Sequence, residues 1–132
     1  MKTIPLILVV DDDQDFCEVV LANFRDENFA VHKVHDGKAA IEVAKSLLPD
    51  LILMDVQMPG EKDGVAAAME ILEAKETAKT PIIFLTNLGD PSPLVSEVNR
   101  RFAKEIGVVD YFKKGIGFDT LIEKIKNILN DR

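Results

Sequence analysis

The chain has 132 residues, of which 16 are Lys or Arg and 23 are Asp or Glu, so its formal net charge is −7. This length suits one domain that buries roughly 65–70% of its unfolded surface without disulfides or a metal. An apolar fraction of 47% excludes intrinsic disorder, and the net acidity argues against direct binding to nucleic acid. One cysteine, Cys17, permits no internal disulfide, which fits a reducing cytosol.

The first residues do not have the pattern of an export signal. The early apolar run stops at Val10 against three consecutive aspartates, and no small-residue cleavage site follows. No stretch approaches the roughly 20 apolar residues of a membrane span. We therefore expect a single cytoplasmic domain over residues 1–132, without membrane insertion.

Five short apolar runs rich in branched residues predict β-strands. In chain order they are Leu6–Val10, Ala30–Val34, Leu51–Met54, Ile82–Leu85 and Val108–Phe112. The first, third and fourth runs are unbroken, as required of strands that are covered on both faces of a parallel sheet. The second run contains His32 and Lys33, which indicates an edge strand.

Five further segments repeat apolar residues at helical spacing. Their predicted apolar stripes are, in chain order, Phe16, Val19, Val20 and Phe24; Ile41, Ala44, Leu47 and Leu48; Val65, Ala68, Met69 and Leu72; Leu94, Val95, Val98 and Phe102; and Leu121, Ile122, Ile125, Ile128 and Leu129. The regular alternation of strand and helix predicts one α/β domain, with a doubly wound five-stranded parallel sheet and helices on both faces.

Polar residues follow the strands at their carboxyl ends, where open parallel sheets bind their ligands. These residues are Asp11, Asp12 and Asp13 after the first strand, Asp55 after the third, Thr86 after the fourth, and Lys113 and Lys114 after the fifth. Three acids and one lysine in a small volume favour a divalent cation, and Mg²⁺ prefers carboxylate oxygens. A phosphoryl group on one carboxylate would be a further anion for the cation, the lysine and Thr86 to hold.

These motifs resemble those of the receiver domain of two-component response regulators, from Leu6 to about Leu129. Residues 7–12 are similar to the family's first strand and acidic pair, and residues 49–55, followed by Met58-Pro59-Gly60, are similar to the phosphoacceptor strand and its loop. Residues 82–86 and 110–114 are similar to the strands that carry the switch Thr or Ser and the lysine. Four motifs in family order make the resemblance specific, and it implies a flavodoxin-like (βα)5 fold.

The resemblance also implies a phosphoacceptor and a metal site. Asp55 would accept a phosphoryl group from a histidine kinase or a phosphotransfer protein. Asp11, Asp12, Asp55 and the backbone carbonyl of Gln57 would hold Mg²⁺ (or Mn²⁺). The domain would assist its own phosphorylation and dephosphorylation without being a conventional enzyme.

A switch mechanism follows from the same resemblance. Thr86 and Lys114 would bind the phosphoryl oxygens, and Tyr111 would occupy the aromatic switch position. The surface formed by the fourth helix and the fifth strand would then change and control a partner protein. For Tyr111 an ordinary core aromatic is an open alternative.

The sequence departs from the family pattern at three places. Gly115 stands where a proline usually follows the lysine, and adjacent Lys113 and Lys114 leave open which one points inward, although the spacing from Tyr111 favours Lys114. The loop of residues 58–64 is one residue longer than usual, and the segment of residues 86–114 is several residues longer.

Two other functions are compatible with parts of the pattern. A phosphatase of the haloacid dehalogenase type would use Asp11 as its nucleophile, but Asp15 stands where that family usually has Thr or Val, and the chain has no cap insertion. A degenerate receiver would act only as a binding module, although all the key positions are present.

We expect Asp13 to cap the first helix, and His32 and His35 to lie on the surface.

Overall fold

The computed structural model describes residues 4–56, 64–86, 105, 107–115 and 117–131. Its strands are β1 (Leu6–Val10), β2 (Ala30–Val34), β3 (Leu51–Asp55), β4 (Ile82–Thr86) and β5 (Asp110–Lys113). Its helices are α1 (Gln14–Phe24), α2 (Gly37–Leu47), α3 (Gly64–Glu73) and α4 (Phe118–Asn130). The helix predicted around Leu94–Phe102 lies outside the described residues.

The strands form one parallel sheet in the order β2-β1-β3-β4-β5. This confirms the predicted five-stranded parallel sheet and the edge position of β2. The fifth strand runs from Asp110 to Lys113 rather than over Val108–Phe112, because its ladder pairs Asp110 with Ile83 and Lys113 with Thr86. The chain adds β2 on one side of β1 and β3 on the other, so the carboxyl ends of β1 and β3 flank the switch in strand order, where such sheets bind ligands.

Each face of the sheet has its own apolar core. Leu8 and Val10 of β1 pack on the face that α2 and α3 cover, whereas Ile7 and Val9 pack on the face of α1 and α4. Because successive side chains of a strand point to opposite faces, both sets must be apolar. This double coverage is the physical reason for the unbroken apolar runs.

In the helical stripes that the structure describes, four of the predicted residues lie exposed, which corrects the prediction of their faces. Val19, Leu47, Leu48 and Met69 are 38–50% exposed. In α1 the residue that packs against the sheet is Cys17, together with Val20 and Phe24. The stripe is therefore rotated toward Cys17, a small apolar side chain that fits closely against the strands.

The ends of two helices show specific backbone features. The carboxylate of Asp13 accepts a hydrogen bond from the N–H of Phe16 at 3.2 Å, which confirms the predicted cap of α1. At the end of α2, Leu48 adopts a left-handed conformation with φ 49° and ψ 63°.

Among the helices of the described ranges, none combines the length and the apolarity needed to cross a membrane.

Candidate functional site

Three carboxylates meet at the carboxyl edge of the sheet. Asp11 directly follows β1 and Asp55 is the last residue of the neighbouring β3, so parallel pairing brings their side chains to one place. Carboxylate oxygens of Asp11, Asp12 and Asp55 lie within 4.8 Å of one another. Asp11 is fully buried and Asp55 is 3% exposed, whereas Asp12 is open to solvent. Buried carboxylates this close together repel one another and require positive charge nearby.

Lys114 supplies part of that charge. It follows β5 directly, where its N–H donates to the Thr86 carbonyl at 2.7 Å. Its Nζ lies 2.5 Å from Oδ2 of Asp11 and 3.6 Å from Oδ2 of Asp55. Burial disfavours the ammonium, but the hydrogen bond and charge of Asp11 and the charge of Asp55 outweigh burial and raise the pKa of Lys114. Lys114 is therefore the lysine of the adjacent pair that reaches the carboxylates.

Both the side chain and the backbone carbonyl of Asp11 make contacts that hold it in position. Its Oδ1 accepts a hydrogen bond from the N–H of Asp13 at 2.9 Å. Its backbone carbonyl oxygen lies 3.0 Å from Nδ1 of His35 and 3.7 Å from Sγ of Cys17. Burial, followed by the charge of Asp11, raises the pKa of the Cys17 thiol to about 11. The sequence placed His35 on the surface, where its side chain does lie, but its contact with Asp11 was not predicted.

Thr86 is the last residue of β4 and is 4% exposed. Its hydroxyl has no hydrogen-bond partner among the residues that the structure describes. Since burying an unsatisfied hydroxyl costs about 1–3 kcal/mol, such a group calls for a ligand or a functional reason. Tyr111 pairs with Phe84 in the ladder of β5 and β4, and it packs half-buried against the core under α2 and α3.

Lys114 also makes an aromatic contact that the sequence did not predict. Nζ of Lys114 lies 4.5 Å from the centroid of the Phe16 ring. This ring stacks on Phe118, the first residue of α4, with a centroid distance of 6.0 Å. The sequence pattern placed Phe16 in the apolar stripe of α1, and nothing in the local sequence distinguishes it from the other stripe residues.

At this sheet edge, two buried acids lie beside one lysine, and the Thr86 hydroxyl lacks a hydrogen-bond partner among the described residues. Such an acidic group is suited to a divalent cation. Residues 7–126 match the family model of the response regulator receiver domain. The chain belongs to this family. Receiver domains serve as phosphorylation switches in two-component signalling, and the likeness extends over both sequence and structure.

Three relatives illustrate the likeness. The transcriptional regulatory protein CpxR of Klebsiella pneumoniae is 34% identical over 123 residues, which are 93% of this chain and 48% of CpxR. The chain thus spans about half the length of the curated relatives that it matches. A protein of Chloroflexus aurantiacus described as a response regulator has a TM-score of 0.85 at 28% identity, over 97% of this chain and 99% of that chain. The third is the receiver domain of the sensor histidine kinase PA1611 from Pseudomonas aeruginosa. It has a TM-score of 0.82 at 27% identity, over 97% of this chain and 99% of that chain. The structure of that domain has a magnesium ion coordinated in the active site cleft.

Two glycines shape the receiver site. A methyl group on Gly64, the first residue of α3, would lie 1.8 Å from the carbonyl oxygen of Asp55, so only glycine allows α3 to approach the end of β3 this closely. Gly115 has φ 95°, a conformation that proline cannot adopt. The glycine in place of the family's usual proline is therefore matched to the local backbone after Lys114.

Several predicted site features lie outside the described residues. They are the Gln57 carbonyl, the Met58-Pro59-Gly60 loop and most of the longer segment of residues 86–114. Within the described part, the structure brings together Asp11, Asp12, Asp55 and Lys114.

Proposed function

We propose that this receiver domain accepts a phosphoryl group on Asp55 from a histidine kinase or a phosphotransfer protein. The observation that carries the proposal is the cluster of three carboxylates within 4.8 Å, two of them buried, beside the Lys114 ammonium. With Asp11, Asp12, Asp55 and Lys114 counted together, the charge is −2. A buried group of this kind is stabilised by a divalent cation and suited to an incoming phosphoryl group.

The position of Asp55 at the end of β3, where the motif resembles the phosphoacceptor strand of the family, supports Asp55 rather than Asp11 as the nucleophile. Both oxygens of Asp11 are engaged, Oδ1 by the N–H of Asp13 at 2.9 Å and Oδ2 by Lys114 at 2.5 Å. Lys114 is farther from Oδ2 of Asp55, at 3.6 Å. An Asp55 oxygen would attack the phosphorus atom in line, a new oxygen–phosphorus bond would form, and the bond to the donor's leaving group would break.

The donor set fits a hard divalent cation. Asp11, Asp12 and Asp55 offer carboxylate oxygens, the ligands that Mg²⁺ (or Mn²⁺) prefers, and the carbonyl of Gln57 would complete the protein ligands. The bound ion would supply positive charge against the phosphoryl oxygens. Exposed Asp12 gives the site an opening to solvent, through which an ion and a phosphodonor could enter.

Thr86 and Lys114 would hold the new phosphoryl group. The ammonium is already between the two buried carboxylates, and the Thr86 hydroxyl lacks a hydrogen-bond partner among the described residues. A phosphoryl oxygen would satisfy that hydroxyl and so draw the end of β4 toward Asp55. We propose that this shift, with Tyr111 as the switch aromatic, alters the surface of β5 and of the helix predicted around Leu94–Phe102.

Membership of the receiver family supports three further proposals, on the protein target, on dephosphorylation and on location. A protein target would read the altered surface, and the domain would assist hydrolysis of its own aspartyl phosphate. Receiver domains are typically cytoplasmic, and we propose the same location here. We also propose that residues 1–132 form one receiver domain, without direct contacts to nucleic acid.

The test is phosphorylation by acetyl phosphate and Mg²⁺, followed by intact mass and by peptide mapping of the modified residue. We expect one phosphoryl adduct on Asp55, and none in Asp55→Asn. An adduct that persists in Asp55→Asn but disappears in Asp11→Asn would instead support the phosphatase alternative. The absence of any adduct, together with no saturable change in NMR shifts on Mg²⁺ titration, would indicate a degenerate receiver.

A further inference from the structure

The ammonium of Lys114 has a third neighbour besides the two carboxylates. Its Nζ lies 4.5 Å from the centroid of the Phe16 ring, and the Lys114 side chain is 12% exposed. A cation over an aromatic face within about 6 Å is attracted by the ring quadrupole, and the attraction is stronger where water is excluded. The ring is therefore placed to act on the position of this ammonium.

The ring itself is fixed from two directions. Phe16 belongs to the first turns of α1, whose cap Asp13 accepts a hydrogen bond from the Phe16 N–H at 3.2 Å. Its ring stacks on Phe118 of α4 at 6.0 Å and 30°. A ring held by two helices is a rigid surface, whereas the four-carbon side chain of Lys114 is flexible and follows a strand end next to Gly115.

We propose that Phe16 is a positioning residue that holds the Lys114 ammonium between Asp11 and Asp55 through the face of its ring. Without the ring, the ammonium would lose one of the three contacts that it makes in the described part of the chain and would spend more time away from the carboxylates. This inference rests on the proposed role of Lys114 in holding the phosphoryl group. It adds to that role a residue from α1 that does not itself contact the phosphoryl group.

Stepwise fluorination separates the electrostatic contribution of the ring from its packing. Replacing Phe16 with mono-, di- and trifluorophenylalanine weakens the quadrupole while the ring keeps nearly the same shape. We expect the rate constant for acetyl phosphate phosphorylation to fall at each step, by about threefold to tenfold overall. The same series at Phe24, a buried ring of α1 that packs against Phe29 with a centroid distance of 5.6 Å, is the matched control and should leave the rate unchanged.

A double-mutant cycle ties the effect to the lysine. In a Lys114→Met background, fluorination at position 16 should no longer alter the residual rate. If fluorination slowed phosphorylation equally in both backgrounds, or if Phe16→Leu retained the full rate, then the ring would act by packing alone and the proposal would be wrong.

A second measurement does not depend on phosphorylation. In the unphosphorylated protein, the ring current of Phe16 should shift the NMR signals of the Lys114 ε-methylene protons upfield, and Phe16→Leu should abolish this shift while leaving the Lys113 signals in place. If Lys114 shows no such change, Phe16 does not hold the ammonium, whatever the phosphorylation result. If the shift is present but no aspartate is phosphorylated, the proposed function fails while the placement of the ammonium stands.

Discussion

Gly64→Ala tests how closely α3 must approach the end of β3 at Asp55. The added methyl carbon would lie 1.8 Å from the carbonyl oxygen of Asp55 and 2.9 Å from Cα of Val56. Methyl carbons in proteins essentially never come within 3.0 Å of a neighbouring atom, so the backbone must move by at least 1.2 Å. Because the obstructing atoms are backbone atoms, no side-chain rotation can relieve the overlap.

The magnitude follows from two opposing contributions. Overpacking a closely packed site costs about 1–3 kcal/mol, and an overlap with backbone belongs at the upper end. Alanine gains up to about 1 kcal/mol over glycine in helix propensity, which leaves a net loss of about 2 kcal/mol. For a domain of this size that loss lowers Tm by roughly 8 °C.

The assay is urea and thermal unfolding of Gly64→Ala, followed by far-UV circular dichroism. Gly117→Ala is the matched control, because a methyl group there meets nothing within 4 Å, and its stability should change by less than about 1 kcal/mol. If Gly64→Ala were as stable as the original chain or more stable, helix propensity would have prevailed, and the close approach of α3 to Asp55 would be refuted.

Two further predictions concern Leu48 and Cys17. Leu48→Gly should raise the free energy of unfolding by about 1 kcal/mol, since Leu48 is half exposed and has φ 49°. The control is Leu47→Gly, within α2, which should lower the free energy of unfolding by about 1 kcal/mol. A lower free energy of unfolding in Leu48→Gly would contradict the inferred backbone strain at this position. The pKa of the Cys17 thiol is raised from 9.0 to about 11 in the folded state. Between these pH values the thiol stays protonated in the folded protein but ionises in the unfolded chain. The free energy of unfolding should therefore fall by about 2 kcal/mol between pH 9 and 11. Urea unfolding at several pH values should show a shallower fall in Cys17→Ala, and identical slopes would exclude the thiol as the cause.

The strands could be predicted from the sequence because their signal is local. The runs Leu6–Val10 and Leu51–Met54 are apolar at every position, and a strand of this kind must be covered on both faces. The structure confirms this, with Leu8 in one core and Ile7 in the other. The helical faces were less well predicted: Val19 and Met69 lie exposed although their spacing fits an apolar stripe. A helix can rotate slightly about its axis, and only the packing against the sheet decides which residues are covered.

The meeting of Asp11 with Asp55 and Lys114 was also accessible from the sequence. Parallel strands end at one edge, so residues that follow them come together whatever their separation along the chain. The contact at 2.5 Å between Lys114 and Asp11, closer than the 3.6 Å to Asp55, depends on side-chain packing and could not be inferred in this way.

The amino-acid sequence by itself determined the α/β architecture, the parallel sheet and the set of acids and lysine at its carboxyl edge, because periodicity and strand order are properties of the chain. Only the tertiary structure decided that Phe16 lies under the Lys114 ammonium and that Gly64 lies against the Asp55 carbonyl. These contacts join segments that no local pattern links. They depend on where α1 and α3 come to rest on the two faces of the sheet, which close packing of the whole core determines.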